Sequence, residues 1–238
     1  MIEALLFDVF GTVVDWRSGI AREVESFFAD SEQTVDPIAF ADSWRAKYQP
    51  SMEEIRSGRR GYTVLDVLHR ENLDATLAEF GLDGAVDDEG RARLNRAWEK
   101  LPPWPDVVPG LEALRSRYLL APCSNGSIAM MARLARFARL PWDAVVGADI
   151  ARDYKPQAAV YTASAAALGL APEQVMMVAA HNFDLAAARE AGLAAAFVPR
   201  PDEYGDGPVG TPDLTPSDDW EAVVPDFMAL ARHMGAAG

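Results

Sequence analysis

Cysteine is almost missing from this chain: Cys123 stands alone among 238 residues, so no disulfide can form within it. It follows Ala121 and Pro122 in an apolar run and reads as a small core residue. Long apolar stretches are missing too. No segment approaches about eighteen consecutive apolar residues, which excludes a membrane-spanning helix. No basic segment precedes the first short apolar run, so a secretory signal is not expected and the cytoplasm is the expected location. Positive charge is scarce, with 22 Lys and Arg against 36 Asp and Glu and a formal net charge of −14. That balance disfavours nucleic acid and anionic membrane as partners. An enzyme of anionic substrates built on it must gather its few cations in its site. Of three histidines, only His181 lies in a motif; His69 and His233 have none around them. No internal repeat or low-complexity tract is present.

What the chain has is an apolar half and enough length for a large core with an insertion. The apolar run Leu5-Leu6-Phe7 leads into Asp8, then Phe10, Gly11 and Thr12, which reads as a buried parallel strand ending in a carboxylate. Ligands sit at the C-terminal ends of such strands. Asp8 is thus placed as a nucleophile would be, with Gly11 letting the backbone turn closely there. A capping Asp and a turn Gly would explain either residue taken alone.

From Gly19 to Leu101 the pattern is helical, without period-two alternation. Helices are predicted over Gly19–Asp30, from Asp36-Pro37 through Trp44, and over Met52–Ser57, Tyr62–Glu71, Leu73–Phe80 and Asp88–Leu101. The prolines of Pro102-Pro103-Trp104-Pro105 stop the last of these. Strands and helices then alternate. Strands are predicted at Tyr118–Cys123, Trp142–Ala148, Gln174–Ala180 and Ala194–Val198, with helices between them. The loop Arg200–Pro216 reads as irregular and Trp220–Met234 as a closing helix. Alternation of this kind argues for an α/β fold, a doubly wound parallel sheet with a Rossmann-like core. The expected division is a core domain of residues 1–15 and 99–238 with an all-helical cap domain, 16–98, inserted over the strand ends.

Each later strand end carries groups that a carboxylate nucleophile can use. Ser124-Asn125-Gly126 precedes a helix, so the Ser124 hydroxyl and free N–H groups can bind an anion; a helix-capping turn is an equally adequate reading of these residues alone. Lys155 precedes Pro156, and Tyr161 stands one helical turn beyond. The next strand ends in Ala179-Ala180-His181-Asn182-Phe183-Asp184.

In series these segments resemble the haloacid dehalogenase superfamily, whose first motif is an Asp at a strand end followed by Gly-Thr. Many phosphatases of that superfamily carry a second Asp two positions after the nucleophile, which protonates the leaving alkoxide. Phe10 occupies that position here and can move no proton. An aromatic there looks like the type II (S)-2-haloacid dehalogenases, whose halide departs without needing an acid. The phosphatases also have Gly-Asp where this chain has Ala179-Ala180, so two acids of the magnesium set are gone. Asp8, Asp184 and Lys155 would make a poor magnesium site, and no metal or cofactor is expected. The type II enzymes have Ser-Ser-Asn where this chain has Ala179-Ala180-His181, a departure shared with a branch carrying Ala-Ala-His-Asn.

The resemblance implies hydrolysis of short 2-haloalkanoic acids, typically (S) enantiomers, to 2-hydroxy acids with inversion, through an aspartyl ester on Asp8. Lys155 would keep Asp8 ionised, and Asp184 would orient the hydrolytic water. Thr12, Ser124 and Asn125 would position anions. Arg45, in a Trp44-Arg45 pair of the cap, would reach the substrate carboxylate or halide. His181, Asn182 and Tyr161 would bind substrate or halide, His181 also being a candidate to help Asp184 deprotonate the water, with Phe10, Phe183 and Trp44 as apolar walls. The expected partner is a small haloacid, and a homodimer is left open. Two other readings stand: a magnesium-dependent phosphatase of the same fold, and a silent homologue that only binds metabolites.

Overall fold

The computed structural model describes residues 1–205 and 210–236. In chain order the elements are β1 (Ala4–Phe7), α1 (Trp16–Phe28), α2 (Pro37–Ala46), α3 (Tyr48–Arg56), α4 (Leu65–Glu79) and α5 (Asp88–Asn95). A 3-10 turn, Arg96–Glu99, and α6 (Val107–Leu114) lead to β2 (Leu119–Ser124), α7 (Ile128–Ala138) and β3 (Val146–Gly147). The chain continues through α8 (Ala148–Ala151), α9 (Ala158–Ala167), β4 (Val175–Ala179), α10 (Asn182–Glu190), β5 (Ala194–Phe197), β6 (Ala222–Val223) and α11 (Phe227–His233). The strands form one sheet in the order β3-β2-β1-β4-β5-β6, and every pairing is parallel. This is the doubly wound α/β architecture expected from the alternation.

The sheet separates two apolar layers. Alternate residues of β1 point to opposite faces: Leu5 and Phe7 join one cluster with Leu111, Leu134 and Phe227, whereas Ala4 and Leu6 join another with Val160, Val175 and Leu185. Both faces are therefore covered by helices, as an all-parallel sheet requires. β1 sits between β2 and β4, with Phe7 in register with Pro122 and Val178, so the residue after it emerges at the middle of the sheet's edge.

Local capping chemistry sets several helix starts. Asp15 accepts from Ser18 N at 3.0 Å, Asp36 from both Ile38 N and Ala39 N at 3.0 Å, and Asp87 from Gly90 N at 2.8 Å. Asp15 starts α1 three residues earlier than the spacing predicts. Residues 62–80, read as two helices, hold a single one, α4, because Asn72 falls within an unbroken i to i+4 ladder. The long helix predicted to reach Leu101 tightens into a 3-10 turn after Asn95. The helical segment leaves and rejoins the sheet beside β1: Asp15 N donates to Pro102 O at 2.9 Å, and Trp104 Nε1 to Gly11 O at 2.8 Å.

Two other expectations are corrected. The strand predicted at Trp142–Ala148 is only Val146–Gly147, where Gly147 has φ +124° and a Cβ would lie 2.3 Å from Ser124 O. Residues 220–234 are not one helix. Ala222 and Val223 pair with Ala196 and Phe197 as an edge strand, and Asp226 then caps α11 by accepting from Ala229 N. Residues 206–209 of the loop read as irregular lie outside the described residues. Among the described residues no helix is long and apolar enough to cross a membrane.

Candidate active site

The hydrogen-bond ladder of the sheet runs up to the site. Asp8 N donates to Val178 O at 3.0 Å, which fixes the backbone of the acid against β4. Its carboxylate is held on both oxygens: Oδ2 accepts from Thr12 Oγ1 at 2.7 Å and lies 3.1 Å from His181 Nδ1, and Oδ1 accepts from Lys155 Nζ at 2.8 Å. Thr12 Oγ1 in turn accepts from Ala180 N at 2.9 Å. Burial alone would raise the Asp8 carboxyl, but the Lys155 charge and the His181 contact outweigh it and hold Asp8 well below the usual carboxylate range. Asp8 is therefore an anion at neutral pH, as a nucleophile must be.

Lys155 bridges two acids, with its Nζ 2.5 Å from Asp184 Oδ2 as well. Burial works against the ammonium, yet Asp184 and Asp8 together raise it above an ordinary lysine. Tyr161 donates to Asp184 Oδ1 at 2.5 Å. Burial raises Asp184, Lys155 draws it back, and the nearby Asp8 charge adds to the rise. Both Asp184 oxygens are thus engaged within the protein. Among the described residues no group of three His, Cys, Asp or Glu side chains is arranged to hold a metal ion.

His181 is the most informative part of the constellation. Its Nδ1 faces Asp8, and its Nε2 lies 2.9 Å from Glu203 Oε2 and 3.2 Å from Glu203 Oε1. Burial would discharge the ring, but the Glu203 charge and the bonds to both carboxylates push it up to about 10. At neutral pH it is an imidazolium clamped between two anions. Glu203 was not foreseen from sequence. It is 1 % exposed, comes from the loop after β5, and also accepts from Trp16 Nε1 at 3.2 Å. Gly11, with φ +94°, makes room for it: a Cβ there would lie 2.1 Å from Glu203 Oε1. Gly11 thus accommodates a carboxylate of the protein itself. Arg200 ties this loop down, its guanidinium forked onto Asp106 at 2.8 and 3.0 Å and its Nε donating to Thr12 O at 2.8 Å. The only signal available in sequence was position, a Glu in the loop beyond a strand's C-terminal end.

A cavity of about 280 Å³ opens over Asp8. Its lining includes Asp8, Lys155, Asp184, His181, Asn125, Phe10, Phe183 and Arg45 from the residues expected, together with Tyr48, Gln49 and Tyr204, which were not. Arg45 arrives from the end of α2, its guanidinium carbon 4.0 Å from the Tyr48 ring centre and 5.0 Å from that of Trp16. Among the described residues its Nη1 is buried without a hydrogen-bond partner. A buried donor left without a partner is costly, and the same side chain lines the cavity. Phe10 packs edge-on against Trp98 and Tyr48 and offers the cavity carbon only.

The remaining expected residues take supporting or other places. Ser124 Oγ accepts from Gly126 N at 3.0 Å, closing the turn after β2. Asn125 Oδ1 accepts from Lys155 N at 2.9 Å, and its Nδ2 donates to Tyr48 OH at 3.1 Å. Asn182, expected to bind substrate, instead ties α10 to the C-terminal loop: its Nδ2 donates to Thr215 O, and its Oδ1 accepts from Ser217 N and Trp220 Nε1. Trp44, expected as a wall, does not line the cavity. It is 1 % exposed, lies edge-on to Trp98, and donates from Nε1 to His69 O at 2.9 Å. A helix turns neighbouring residues by about 100°, and on α2 it is Arg45 and Ala46 that line the cavity while Trp44 packs behind them. Phe183 reaches the cavity but is 55 % exposed, which places it at the mouth.

Comparison with known proteins adds an independent line. A family model described as haloacid dehalogenase-like hydrolase matches residues 2–192. The (S)-2-haloacid dehalogenase of Xanthobacter autotrophicus is 30% identical over 204 residues, covering 84% of this chain and 76% of that protein. The crystal structure of a defluorinating L-2-haloacid dehalogenase superposes with a TM-score of 0.95 at 48% identity, covering 98% of this chain and 95% of that one. Another L-2-haloacid dehalogenase gives a TM-score of 0.94 at 42% identity with all of both chains covered. The Xanthobacter autotrophicus enzyme with chloropropionic acid covalently bound is similar at a TM-score of 0.82 and 27% identity, over 99% of each chain. Sheet order, the place of Asp8 at the end of β1 and these matches agree, and the chain belongs to the haloacid dehalogenase-like hydrolases.

Proposed function

We propose that this protein is a 2-haloacid dehalogenase that converts short (S)-2-haloalkanoic acids to 2-hydroxy acids through an ester on Asp8, without a metal. The observation that carries the reading is that one small cavity is lined both by an ionised, doubly held carboxylate and by an arginine, Arg45, one of whose nitrogens has no hydrogen-bond partner among the described residues. A nucleophile and a cationic site for an anion are what displacement of halide by carboxylate needs. The names of the relatives point the same way.

Asp8 attacks the carbon bearing the halogen from the side opposite the halide, forming a C–O bond as the carbon–halogen bond breaks and inverting the centre. Thr12 and Lys155 hold the carboxylate in its attacking orientation. Arg45 receives an anionic group of the substrate, and the aromatic rings around it keep water from competing for the guanidinium. Residues 16–98 act as the cap that supplies Arg45, Tyr48 and this dry wall, and residues 1–15 with 99–238 act as the core.

Esterification removes the charge of Asp8, so His181 keeps one anionic partner instead of two and releases its Nδ1 proton to solvent. The neutral ring, held by its Nε2–H on Glu203, then takes a proton from water at Nδ1 as that water adds to Cγ of the ester. The bond from Cγ to the substrate oxygen breaks, the departing oxygen takes the second water proton, and Asp8 and the imidazolium are restored. The net change is one halide and one proton released per turnover. Asp184, fully engaged by Lys155 and Tyr161, positions Lys155 instead of serving as the base, which shifts the water-activating role expected of it to His181.

Single-turnover hydrolysis of chloroacetate in ¹⁸O-labelled water tests the reading. The label is expected in Asp8 first and in product only after further turnovers. Label in the product of the first turnover, or no chloride release from any 2-haloacid, overturns it.

A further inference from the structure

Lys155 places its ammonium between two carboxylates, so its usefulness depends on where its backbone sits. That backbone is gripped on both sides. Its N–H donates to Asn125 Oδ1 at 2.9 Å, and its carbonyl accepts from Arg56 Nη1 at 2.9 Å. Arg56 is the last residue of α3, with a side chain only 10% exposed. The same guanidinium binds Gln49 Oε1 at 3.1 Å and, through Nε, Glu53 at 2.9 Å. α3 reaches Lys155 by a second route as well, since Tyr48 OH accepts from the Asn125 amide that holds the Lys155 N–H. Tyr48 is also the ring on which the Arg45 guanidinium rests.

We propose that Arg56 is a positioning residue that makes the seating of α3 over the cavity and the aiming of Lys155 at Asp8 a single event. The helix that supports the anion-binding arginine thereby also fixes the cation that orients the nucleophile. The inference rests on the dehalogenase reading for its kinetic arm and on the hydrogen bonds alone for its structural arm.

Arg56→Met keeps the apolar stem and removes every donor. It is expected to lower kcat on chloroacetate by about tenfold or more, the scale of one bond from a charged donor, while KM moves by less than about threefold. Arg56→Lys, which retains a cationic donor, is expected to recover most of that loss. Glu53→Gln removes an exposed partner of the same guanidinium without touching Lys155, and is expected to stay within about twofold of the parent enzyme. Hydrogen exchange supplies the second arm: in Arg56→Met, amides of residues 48–56 and 153–157 should exchange faster together, with β4 unchanged. The proposal is overturned by an Arg56→Met enzyme with unaltered kcat, by a loss confined to KM, by no rescue with lysine, or by faster exchange in α3 alone. A parent enzyme that releases no halide would overturn the dehalogenase reading, and the exchange comparison would still decide the role of Arg56.

Discussion

Replacing Glu203 by Gln is the sharpest probe of how this site divides its two chemical steps. The substitution keeps size and an oxygen acceptor for His181 Nε2 but removes a charge 2.9 Å away. Two unit charges about 4 Å apart at an effective dielectric near 20 interact by about 4 kcal/mol, or roughly three pKa units. His181, pushed up to about 10 in the intact site, therefore falls towards neutrality and becomes a much weaker base in the ester enzyme. Alkylation of Asp8 does not use His181 as a base and should persist, so the variant should release one equivalent of chloride rapidly and then stall. Ester hydrolysis should slow by about 10²–10⁴, the range for loss of a positioned base. Rapid-quench chloride measurement with intact-protein mass spectrometry reads both quantities, and the Asp8 adduct should accumulate. Glu203→Leu, which also frees the ring to change tautomer, should stall at least as completely. Steady turnover in Glu203→Gln at near the parent rate, with no adduct, would refute the assignment.

Arg45→Gln should lower kcat/KM for 2-haloacids by about 10–100-fold, as expected for about 1.5–3 kcal/mol from charged hydrogen bonds, and Arg45→Lys should not restore it because the planar group is stacked on Tyr48; steady-state kinetics decide. Trp44→Phe should cost about 1–2 kcal/mol of stability through the lost bond to His69 O and leave KM within about twofold, since Trp44 packs behind the cavity; denaturant melts beside kinetics test this, and a large KM change would return Trp44 to the site. The raised His181 gives a pH signature. Its folded value of about 10 exceeds the ordinary 6.5, so the stability it contributes is complete below about pH 6.5 and is lost as pH rises to about 10. Thermal melts across that window should fall more steeply in the parent than in His181→Asn. Asp8, lowered in the folded chain, acts in the opposite sense: its contribution is present above about pH 4 and fades on acidification below it.

The strand-end residues were legible because strands announce themselves by short apolar runs and the groups that follow sit at a known edge. Asp8, Lys155, Asp184 and Asn125 came from that logic, and Tyr161 from helical spacing, and all meet within hydrogen-bond reach. Arg45 was legible as half of a Trp-Arg pair, but sequence could not say which of the two faced inward. The place of Asn182 is not legible in the sequence because its partners, Thr215, Ser217 and Trp220, lie more than thirty residues on in irregular chain. Glu203 was invisible for the same reason. Loops carry no periodicity, and what fixes this one is Arg200 on Asp106, a pair ninety-four residues apart. The single expected helix at 220–234 failed because an edge strand of two residues is too short to show alternation.

The acidic balance of the chain also takes on a local meaning. A site for an anionic substrate would be expected to hold a surplus of cations, yet Asp8, Asp184 and Glu203 face Lys155, His181 and Arg45 in equal number. Lys155 and His181 are already committed to acids, whereas Arg45 has a buried nitrogen without a hydrogen-bond partner among the described residues. In the proposed mechanism attraction of the substrate therefore falls mainly to Arg45, and the two committed cations serve Asp8 before reaction. Once Asp8 becomes an ester in the proposed mechanism, one acid of the set is neutral, the substrate carboxylate balances Arg45, and His181 is left with Glu203 as its one anionic partner. His181 is the one cation of the three whose proton can leave near neutral pH, because lysine and arginine hold theirs far more tightly. Loss of the Asp8 charge beside Nδ1 thus makes the imidazole the group that changes state between the two steps of the proposed mechanism, while its contact with Glu203 through Nε2 keeps it in place.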